Sequence, residues 1–227
     1  MSILSEQIRG MGRILAGELL RSGALSVSRD KPFLLTSGNY SPLYVNCRQL
    51  ISSRTSIHLV STAIILNLEL FNCQFDVIAG GETAGIPFAA FLASQLNKPM
   101  IYVRKAAKGH GARSQIEGVL SRSSRVLLVE DLITDGRSKL AFIHAIRDAG
   151  ARIEDVLVVF DRLQGGAATL QQHDSRLIAL TDLEITMHIS AEWKILPPED
   201  LTSVREYLVS PAEWHARRSL PYSGGGE

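Results

Sequence analysis

An acid pair followed by a short polar loop is the part of this sequence best suited to chemistry. Glu130 and Asp131 follow the apolar run 126–129, and after two more apolar residues comes the loop Thr134-Asp135-Gly136-Arg137-Ser138. Ionised carboxylates only accept hydrogen bonds, so the acid pair suits the neighbouring hydroxyl groups of a ribose. The loop suits a phosphate, because its hydroxyls, its glycine and the start of the following helix can all approach an anion. Together the two features predict a site for a phosphorylated ribose.

A basic stretch at residues 104–117 is the second candidate for a functional segment. Its basic side chains are those of Arg104, Lys105, Lys108, His110 and Arg113. Gly109 and Gly111 flank the histidine and disfavour a stable helix, so a mobile loop is favoured over a solvated helical face. A mobile cationic loop between two strands of an α/β sheet is a suitable lid for a polyanion.

A buried strand and a helix must position the acid pair and the polar loop. The run 126–129 is apolar throughout, which is typical of a parallel strand covered on both faces. Apolar residues then recur at helical spacing between Leu140 and Ile146. Because ligands of open α/β sheets bind beyond the carboxyl ends of the strands, we expect the strand to end at the acids and both carboxylates to face a crevice. The alternative is an ordinary strand-turn-helix with Asp135 as a cap, and it explains the loop but not the acid pair.

The rest of the chain predicts an α/β fold. From residue 54 helices and strands alternate, which indicates right-handed crossovers and a mainly parallel sheet with helices on both faces. The predicted helices are 54–70, 87–96 and 167–172, and the predicted strands are 76–79, 100–103, 156–160 and 177–180, with a turn at Gly80-Gly81. Before this core we expect an amphipathic covering helix at 3–21 and a hairpin at 31–48. Beyond residue 181 we expect helices with a break at Pro197-Pro198.

Composition limits the class of protein. The 227 residues are 45% hydrophobic and 21% charged, which predicts a single globular domain. Within it we distinguish an N-terminal helix and hairpin (1–50), an α/β core (54–182), C-terminal helices (183–222) and a disordered tail (223–227). The formal net charge of +1 indicates no general attraction to nucleic acid or membrane.

Cysteine usage and hydropathy predict a cytoplasmic protein. Cys47 and Cys73 lack the spacing of metal ligands and are predicted to be free thiols in a reducing compartment. The N-terminus lacks the arrangement of a signal peptide, and no apolar run approaches the roughly 20 residues of a bilayer span.

One stretch of the sequence resembles the signature with which type I phosphoribosyltransferases bind phosphoribosyl pyrophosphate (PRPP). It consists of an apolar strand, two acids, two apolar residues and then Thr-x-Gly-x-Ser. The basic loop narrows the resemblance to the orotate phosphoribosyltransferases, through Arg104, Lys105, Lys108, His110, Gly111 and Ile116-Glu117-Gly118. Two further segments resemble that family: the base-side hairpin, with Ser37-Gly38, Ser41-Pro42 and Tyr44 to Arg48, and the loop Gly85-Ile86-Pro87. The resemblance covers roughly residues 30–182.

The resemblance implies a fold, an activity and roles for residues. The fold would be the type I phosphoribosyltransferase fold, with an N-terminal helix and hairpin as a hood. The activity would be that of a pentosyltransferase of pyrimidine synthesis, joining orotate to PRPP to give orotidine 5′-phosphate and pyrophosphate, with Mg²⁺ held mainly through PRPP and water. The implied PRPP-binding residues are Arg104, Lys105, Lys108, His110, Glu130, Asp131, Leu132, Ile133, Thr134, Asp135, Gly136, Arg137 and Ser138.

Among these, Lys105, Lys108, His110 and Asp131 would be catalytic, while Thr134 and Arg162 would contact orotate. The family also implies a homodimer with shared sites, in which Arg104, Lys108 and His110 serve the neighbour's PRPP and Lys105 serves that of its own chain.

Four positions leave questions open. Some family members carry lysines where this chain has Thr36 and Ala84, which indicates a subclass. Asp135 and Glu82 are carboxylates beside sites for anions, so each must point away, pair with a cation or help to hold Mg²⁺. Two alternatives also remain: a phosphoribosyltransferase for another base, and a PRPP-binding regulator that has lost catalysis.

Overall fold

The computed structural model of the chain describes residues 3–35, 37–106 and 115–223. Helix α1 (Ile3–Arg21) leads into four short strands, β1 (Leu25–Val27), β2 (Phe33–Leu34), β3 (Tyr40–Ser41) and β4 (Leu43–Val45), and a 3-10 helix at Cys47–Ser52. The core follows as α2 (Arg54–Leu70), β5 (Val77–Gly81), α3 (Gly85–Leu96), β6 (Met100–Val103), β7 (Ile116–Glu117), β8 (Arg125–Ile133), α4 (Arg137–Asp148), β9 (Arg152–Asp161), α5 (Gly166–Gln171) and β10 (Arg176–Asp182). Three helices close the chain: α6 (Leu183–Glu192), α7 (Pro198–Val209) and α8 (Pro211–Arg217).

A mainly parallel sheet organises the molecule, as the sequence predicts. Its six strands lie in the order β10-β9-β8-β5-β6-β7, and only β7 among these described strands runs antiparallel to its neighbour. Side chains alternate between the two faces of a strand. Leu127 and Val129 therefore join one core with α1, α2 and α3, whereas Val126 and Leu128 join a second core with α4 and α5. Helices cover both faces, so β8 is buried from both sides.

Two predictions about strand ends are wrong. The strand predicted to stop before the acid pair continues to Ile133, because β8 stays paired with β9 through Ile133 and Asp161. The pair Gly80-Gly81, predicted as a turn, lies inside β5. A Cβ atom on Gly81 would come 2.7 Å from Phe142 of α4, so this glycine allows close packing and not a change of direction.

The base-side hairpin also differs from its prediction. Strand β2 pairs with β3 over only two residues each, whereas β4 pairs with β1, a strand that is absent from the sequence prediction. The segment Gly85-Ile86-Pro87 is the first turn of α3 and not a loop. Pro198 begins α7, in agreement with the predicted helix break.

Two remaining predictions concern the cysteines and the membrane. Both cysteines are free, with Cys47 buried and Cys73 half-buried, as predicted. Among the helices of the described ranges, none combines the length and the apolar character needed to cross a bilayer.

Candidate active site

The two adjacent acids at the end of β8 lie in different surroundings. Asp131 is half-buried, and its carboxylate has no hydrogen-bond or ion-pair partner within the described residues. Glu130 is only 4% exposed and forms a buried ion pair with Lys139 of α4. The prediction that both carboxylates face a crevice is therefore wrong for Glu130. Its side chain is on the same face as Val126 and Leu128, toward α4, because strand side chains alternate.

Glycines on two elements make room for the Glu130 carboxylate. A Cβ atom on Gly81 would come 2.2 Å from its Oε1, and one on Gly85 would come 2.5 Å from the same atom. Burial raises the pKa of Glu130, and the negative charge of Asp131 adds to this effect, while Lys139 and Lys105 oppose it. Lys139, itself 7% exposed, is thus part of the site. It is absent from the residues predicted from the sequence, although it lies three and four positions before the apolar Phe142 and Ile143, and this spacing places it on the core-facing side of the helix.

The polar loop 134–138 joins β8 to α4 and turns at Gly136. This residue has φ of +84°, and a Cβ atom there would meet Thr169 at 3.2 Å and the Gly166 carbonyl at 3.3 Å. The left-handed backbone strains any other residue. The carboxylate of Asp135 is paired with Arg137. Its Oδ1 accepts a hydrogen bond from the main-chain N–H of Arg137 at 3.0 Å, and its Oδ2 lies 3.1 Å from Nε of the same residue. The carboxylate therefore shapes the turn that begins α4.

Of the remaining predicted residues at this edge of the sheet, some have side chains in the hydrophobic cores and others have side chains at the candidate site. The side chains of Leu132 and Ile133 belong to the two cores, so any contact between these residues and PRPP is through the main chain. Thr134 is half-buried and Ser138 is exposed. Arg162 follows β9, and its main-chain N–H donates to the Ile133 carbonyl at 3.0 Å. It is 7% exposed, which excludes a surface arginine. Its main chain lies beside Ile133, the residue before Thr134.

Both ends of the basic loop are described, and they are anchored. The main-chain N–H of Lys105 donates to Oε2 of Glu82 at 2.8 Å, so Glu82 holds the beginning of the loop. Lys105 itself is exposed, and its positive charge is close enough to Glu130 to lower the pKa of that carboxyl group. Nη1 of Arg104 lies 3.4 Å from Oε1 of Glu117 on β7, within the same chain. Lys108, His110, Gly111 and Arg113 lie outside the described residues, as does Thr36 of the hairpin.

The base-side segment reaches the acid pair from the other side. After β4 the chain enters the 3-10 helix at Cys47, whose thiol is fully buried. Burial raises the pKa of this thiol, and the nearby charge of Asp131 raises it further. The segment predicted to lie beside the base is thus a neighbour of the acid predicted to bind ribose.

A cavity of about 580 Å³ borders the site beyond Arg162. Its other walls come from α6, α7 and α8 and are mainly apolar, with Leu183, Met187, Tyr207 and Leu208 among them. The described residues contain no cluster of three or more side chains suited to hold a metal ion. A carboxylate such as that of Asp131 fits a Mg²⁺ ion that keeps its water and is held through a phosphate ligand.

Comparison with known proteins identifies relatives over nearly the whole chain. A family model described as a phosphoribosyl transferase domain matches residues 55–190. An orotate phosphoribosyltransferase of Rhizobium rhizogenes is 41% identical over 212 residues, which cover 91% of each chain. One of Jannaschia sp. is 41% identical over 216 residues, covering 92% of this chain and 94% of the relative.

Solved structures agree with these relatives. The chain resembles an orotate phosphoribosyltransferase from Aeropyrum pernix with a TM-score of 0.68 and 32% identity, over 81% of this chain and 99% of that one. It resembles a Leishmania donovani UMP synthase with a TM-score of 0.76 and 28% identity. That match covers 88% of this chain but only 43% of the longer synthase chain. A Mycobacterium tuberculosis orotate phosphoribosyltransferase solved in complex with PRPP is 27% identical, with a TM-score of 0.62, over 78% of this chain and 98% of that one.

Proposed function

The chain belongs to the phosphoribosyltransferase family and, within it, to the orotate phosphoribosyltransferases, and from this membership we propose how its own residues divide the work of the reaction. The reaction transfers the 5-phosphoribosyl group of PRPP to orotate and gives orotidine 5′-phosphate and pyrophosphate. One observation carries the proposal: Asp131, the loop 134–138 and Arg162 come together at the carboxyl edge of the sheet.

The PRPP site consists of the end of β8 and the start of α4. The loop 134–138 and the N-terminal end of α4 bind the 5-phosphate, because unpaired N–H groups and the helix dipole favour an anion there. Asp131 accepts the ribose hydroxyls and places negative charge near the oxocarbenium-like cation that forms as the bond to pyrophosphate breaks. Glu130 stays inside the protein with Lys139 and supports this edge. Two adjacent acids therefore have two roles.

The basic loop serves the leaving pyrophosphate. Lys105 acts in the site of its own chain, since Glu82 holds its main chain close to Glu130. Lys108 and His110 reach the site of a neighbouring copy in a homodimer, where they neutralise the pyrophosphate and His110 donates a proton to it. Arg104 joins them when it leaves its ion pair with Glu117 and pairs with the pyrophosphate instead. Closure of the loop excludes water, which otherwise hydrolyses PRPP.

Orotate lies between the hairpin hood and the edge of β9. Arg162 offers a planar fork of donors that matches a carboxylate or a carbonyl edge, and Thr134 supplies a hydroxyl. Mg²⁺, when bound with PRPP, adds positive charge to the pyrophosphate, and Asp131 is the carboxylate suited to orient it. Two free thiols favour the reducing cytoplasm as the compartment.

The loss of the ultraviolet absorbance of orotate tests the activity. Purified protein is mixed with PRPP, Mg²⁺ and one of four bases: orotate, uracil, hypoxanthine or adenine. We expect turnover with orotate and none with the other three. Turnover with a different base would overturn the base assignment, and binding of PRPP without turnover of any base would point to a regulator.

A further inference from the structure

Helix α8 and the residues that follow it contact the base-side hairpin through partly buried hydrogen bonds. The main-chain N–H of Tyr40 in β3 donates to Nε2 of His215 in α8 at 3.1 Å, across 175 residues of sequence. Both the N–H and the hydroxyl of Ser223 donate to Oδ1 of Asn39 at 2.9 Å. Ser223, where the predicted disordered tail begins, thus has a partner in the hairpin, and the other residues of that tail, 224–227, lie outside the described residues. His215 is fully buried and Asn39 is 3% exposed, so the side chains that accept these bonds are shielded from water. Ser223 itself is exposed.

The partners of His215 determine its tautomer. Its Nδ1 lies 2.6 Å from the carbonyl oxygen of Pro211, which can only accept a hydrogen bond. Nδ1 therefore carries the proton, and Nε2 of the neutral ring is the acceptor for the Tyr40 N–H. Both ring nitrogens are used in this arrangement. A side chain without an acceptor at this position leaves the partly buried Tyr40 N–H without this partner.

Aromatic packing holds the imidazole ring of His215 in place. The ring centroid lies 5.2 Å from that of Trp214, in an edge-to-face arrangement, and 4.8 Å from that of Tyr222. The indole N–H of Trp214 donates to the Ser203 hydroxyl of α7 at 3.1 Å, which ties α8 to α7. The acceptor offered to Tyr40 thus belongs to a rigid cluster and not to a free side chain.

The hairpin needs such support. Strands β2 and β3 share only two residue pairs, and an isolated pair of strands this short is marginally stable in water. Leu34 of β2 is 64% exposed, and Tyr44 of β4, the strand that follows the hairpin, is 40% exposed. The bonds from His215 and Ser223 reach Asn39 and Tyr40, which lie between Ser37-Gly38 and Ser41-Pro42 of the base-side segment. The support is therefore applied at the turn that is predicted to lie beside the base.

We propose that His215 is a positioning residue for the base substrate. It holds the β2–β3 hairpin through its bond from α8, so the hairpin is already ordered before orotate binds and orotate binding does not have to order it. This inference rests on the proposed function, because it assumes that the hairpin contacts orotate. PRPP binds at β8 and α4, so its affinity does not depend on the hairpin. The loss of the bond must then affect orotate and not PRPP.

Three variants test the proposal with steady-state kinetics. His215→Phe keeps the aromatic packing but removes the acceptor, and we expect the KM for orotate to rise roughly five- to tenfold, the worth of about one hydrogen bond, with the KM for PRPP unchanged. His215→Gln returns an acceptor oxygen and should recover most of the orotate affinity. Ser203→Ala is the matched control, because it removes a buried hydrogen bond of the same cluster without touching the hairpin. Its KM values should equal those of the unmodified enzyme.

Equal rises in both KM values, or an orotate KM in Ser203→Ala that matches that of His215→Phe, would overturn the proposal. Hydrogen exchange on the unmodified protein tests it even if His215→Phe does not fold. Orotate added to the PRPP complex should slow exchange both in residues 33–45 and in residues 211–223. Protection confined to 33–45 would overturn the proposal. The unmodified enzyme's turnover of orotate is measured separately, so failure of the proposed function is recognised independently.

Discussion

At the level of single residues, burial separates two neighbouring acids that look equivalent in sequence. Asp131 is half-buried at the edge of the sheet, and Glu130 is enclosed with Lys139 between β8 and α4. Removal of one partner of a buried ion pair leaves a charge with neither water nor a counter-ion. The Lys139 side chain is therefore expected to matter for folding before it matters for catalysis.

We predict that Lys139→Met lowers the free energy of unfolding by about 3–5 kcal/mol at neutral pH. The double variant Lys139→Met with Glu130→Gln should recover part of the loss, because no charge remains buried. Lys98→Met is the control, since Lys98 is exposed and such changes usually cost under about 0.5 kcal/mol. Urea denaturation measures all three. If Lys139→Met were as stable as Lys98→Met, the buried pair would not be the dominant contact here.

The pH dependence of the Lys139→Met variant follows from the pKa of Glu130. Burial raises this pKa above the ordinary 4.5, and the loss of Lys139 removes an influence that lowers it. The native state then binds more protons than the unfolded state above pH 4.5, so stability falls as the pH rises through that window. The stability gap between Lys139→Met and the double variant should thus be small near pH 4.5 and widen toward neutral pH. A gap independent of pH would contradict this explanation.

Asp135 is predicted to shape the loop 134–138, through its bonds to Arg137, and not to hold Mg²⁺. Asp135→Asn keeps an oxygen for the Arg137 N–H and removes the charge, so the KM for PRPP should stay equal or fall. Asp135→Ala loses the hydrogen bond of the turn, and the KM for PRPP should rise roughly three- to tenfold. Initial rates at saturating orotate measure both values. An Asn variant as impaired as the Ala variant would mean that the charge itself assists binding.

At the level of elements, small residues decide how closely the strands and helices around the site can approach. Gly81 at the end of β5 lies against both the Glu130 carboxylate and Phe142 of α4. A methyl group there displaces one of them, and neither is the free end of an exposed side chain.

Gly81→Ala should therefore lower the free energy of unfolding by about 1–3 kcal/mol through overpacking. Gly10→Ala in α1 is the matched control, because a Cβ atom there meets nothing within 4 Å. That change should stabilise the helix by about 0.5–1 kcal/mol. Thermal and urea unfolding compare the two variants, and a stable Gly81→Ala protein would show that α4 can move away from β5.

At the level of the whole molecule, the basic loop raises the question of which chain completes each site. The proposed homodimer takes Lys108 from the neighbouring copy and Lys105 from the same copy. A Lys108→Ala chain and an Asp131→Asn chain are each expected to be inactive alone. In a mixed dimer, the Lys108→Ala chain keeps Asp131 and receives Lys108 from its partner, so one native site forms.

Random mixing of these two variants should then restore about a quarter of the unmodified activity, since half of the dimers are mixed and each has one native site. Lys105→Ala mixed with Asp131→Asn is the control and should stay inactive, because no mixed site is native. Activity after joint refolding measures both. No recovery in the first mixture would assign Lys108 to the site of its own chain.

Local patterns were enough to predict much of this protein. Helical spacing predicts α1 and α2, the apolar run predicts β8 as a buried strand, and the polar residues 134–138 predict the loop between β8 and α4. These features depend on neighbours within one strand or one turn, where backbone geometry alone sets which side chains share a face. The family and its reaction follow from the same local motifs.

Tertiary packing decided the features that depend on residues distant in sequence. Whether Glu130 faces solvent or Lys139 depends on how α4 packs on β8. The pairing of β4 with β1, and of β2 with β3, is likewise a feature of the folded chain. The bond between Tyr40 and His215 joins the two ends of the chain. The strength of such a hydrogen bond or ion pair depends on how deeply other elements bury it. Burial is known only once the whole chain has folded, so the local sequence does not reveal it.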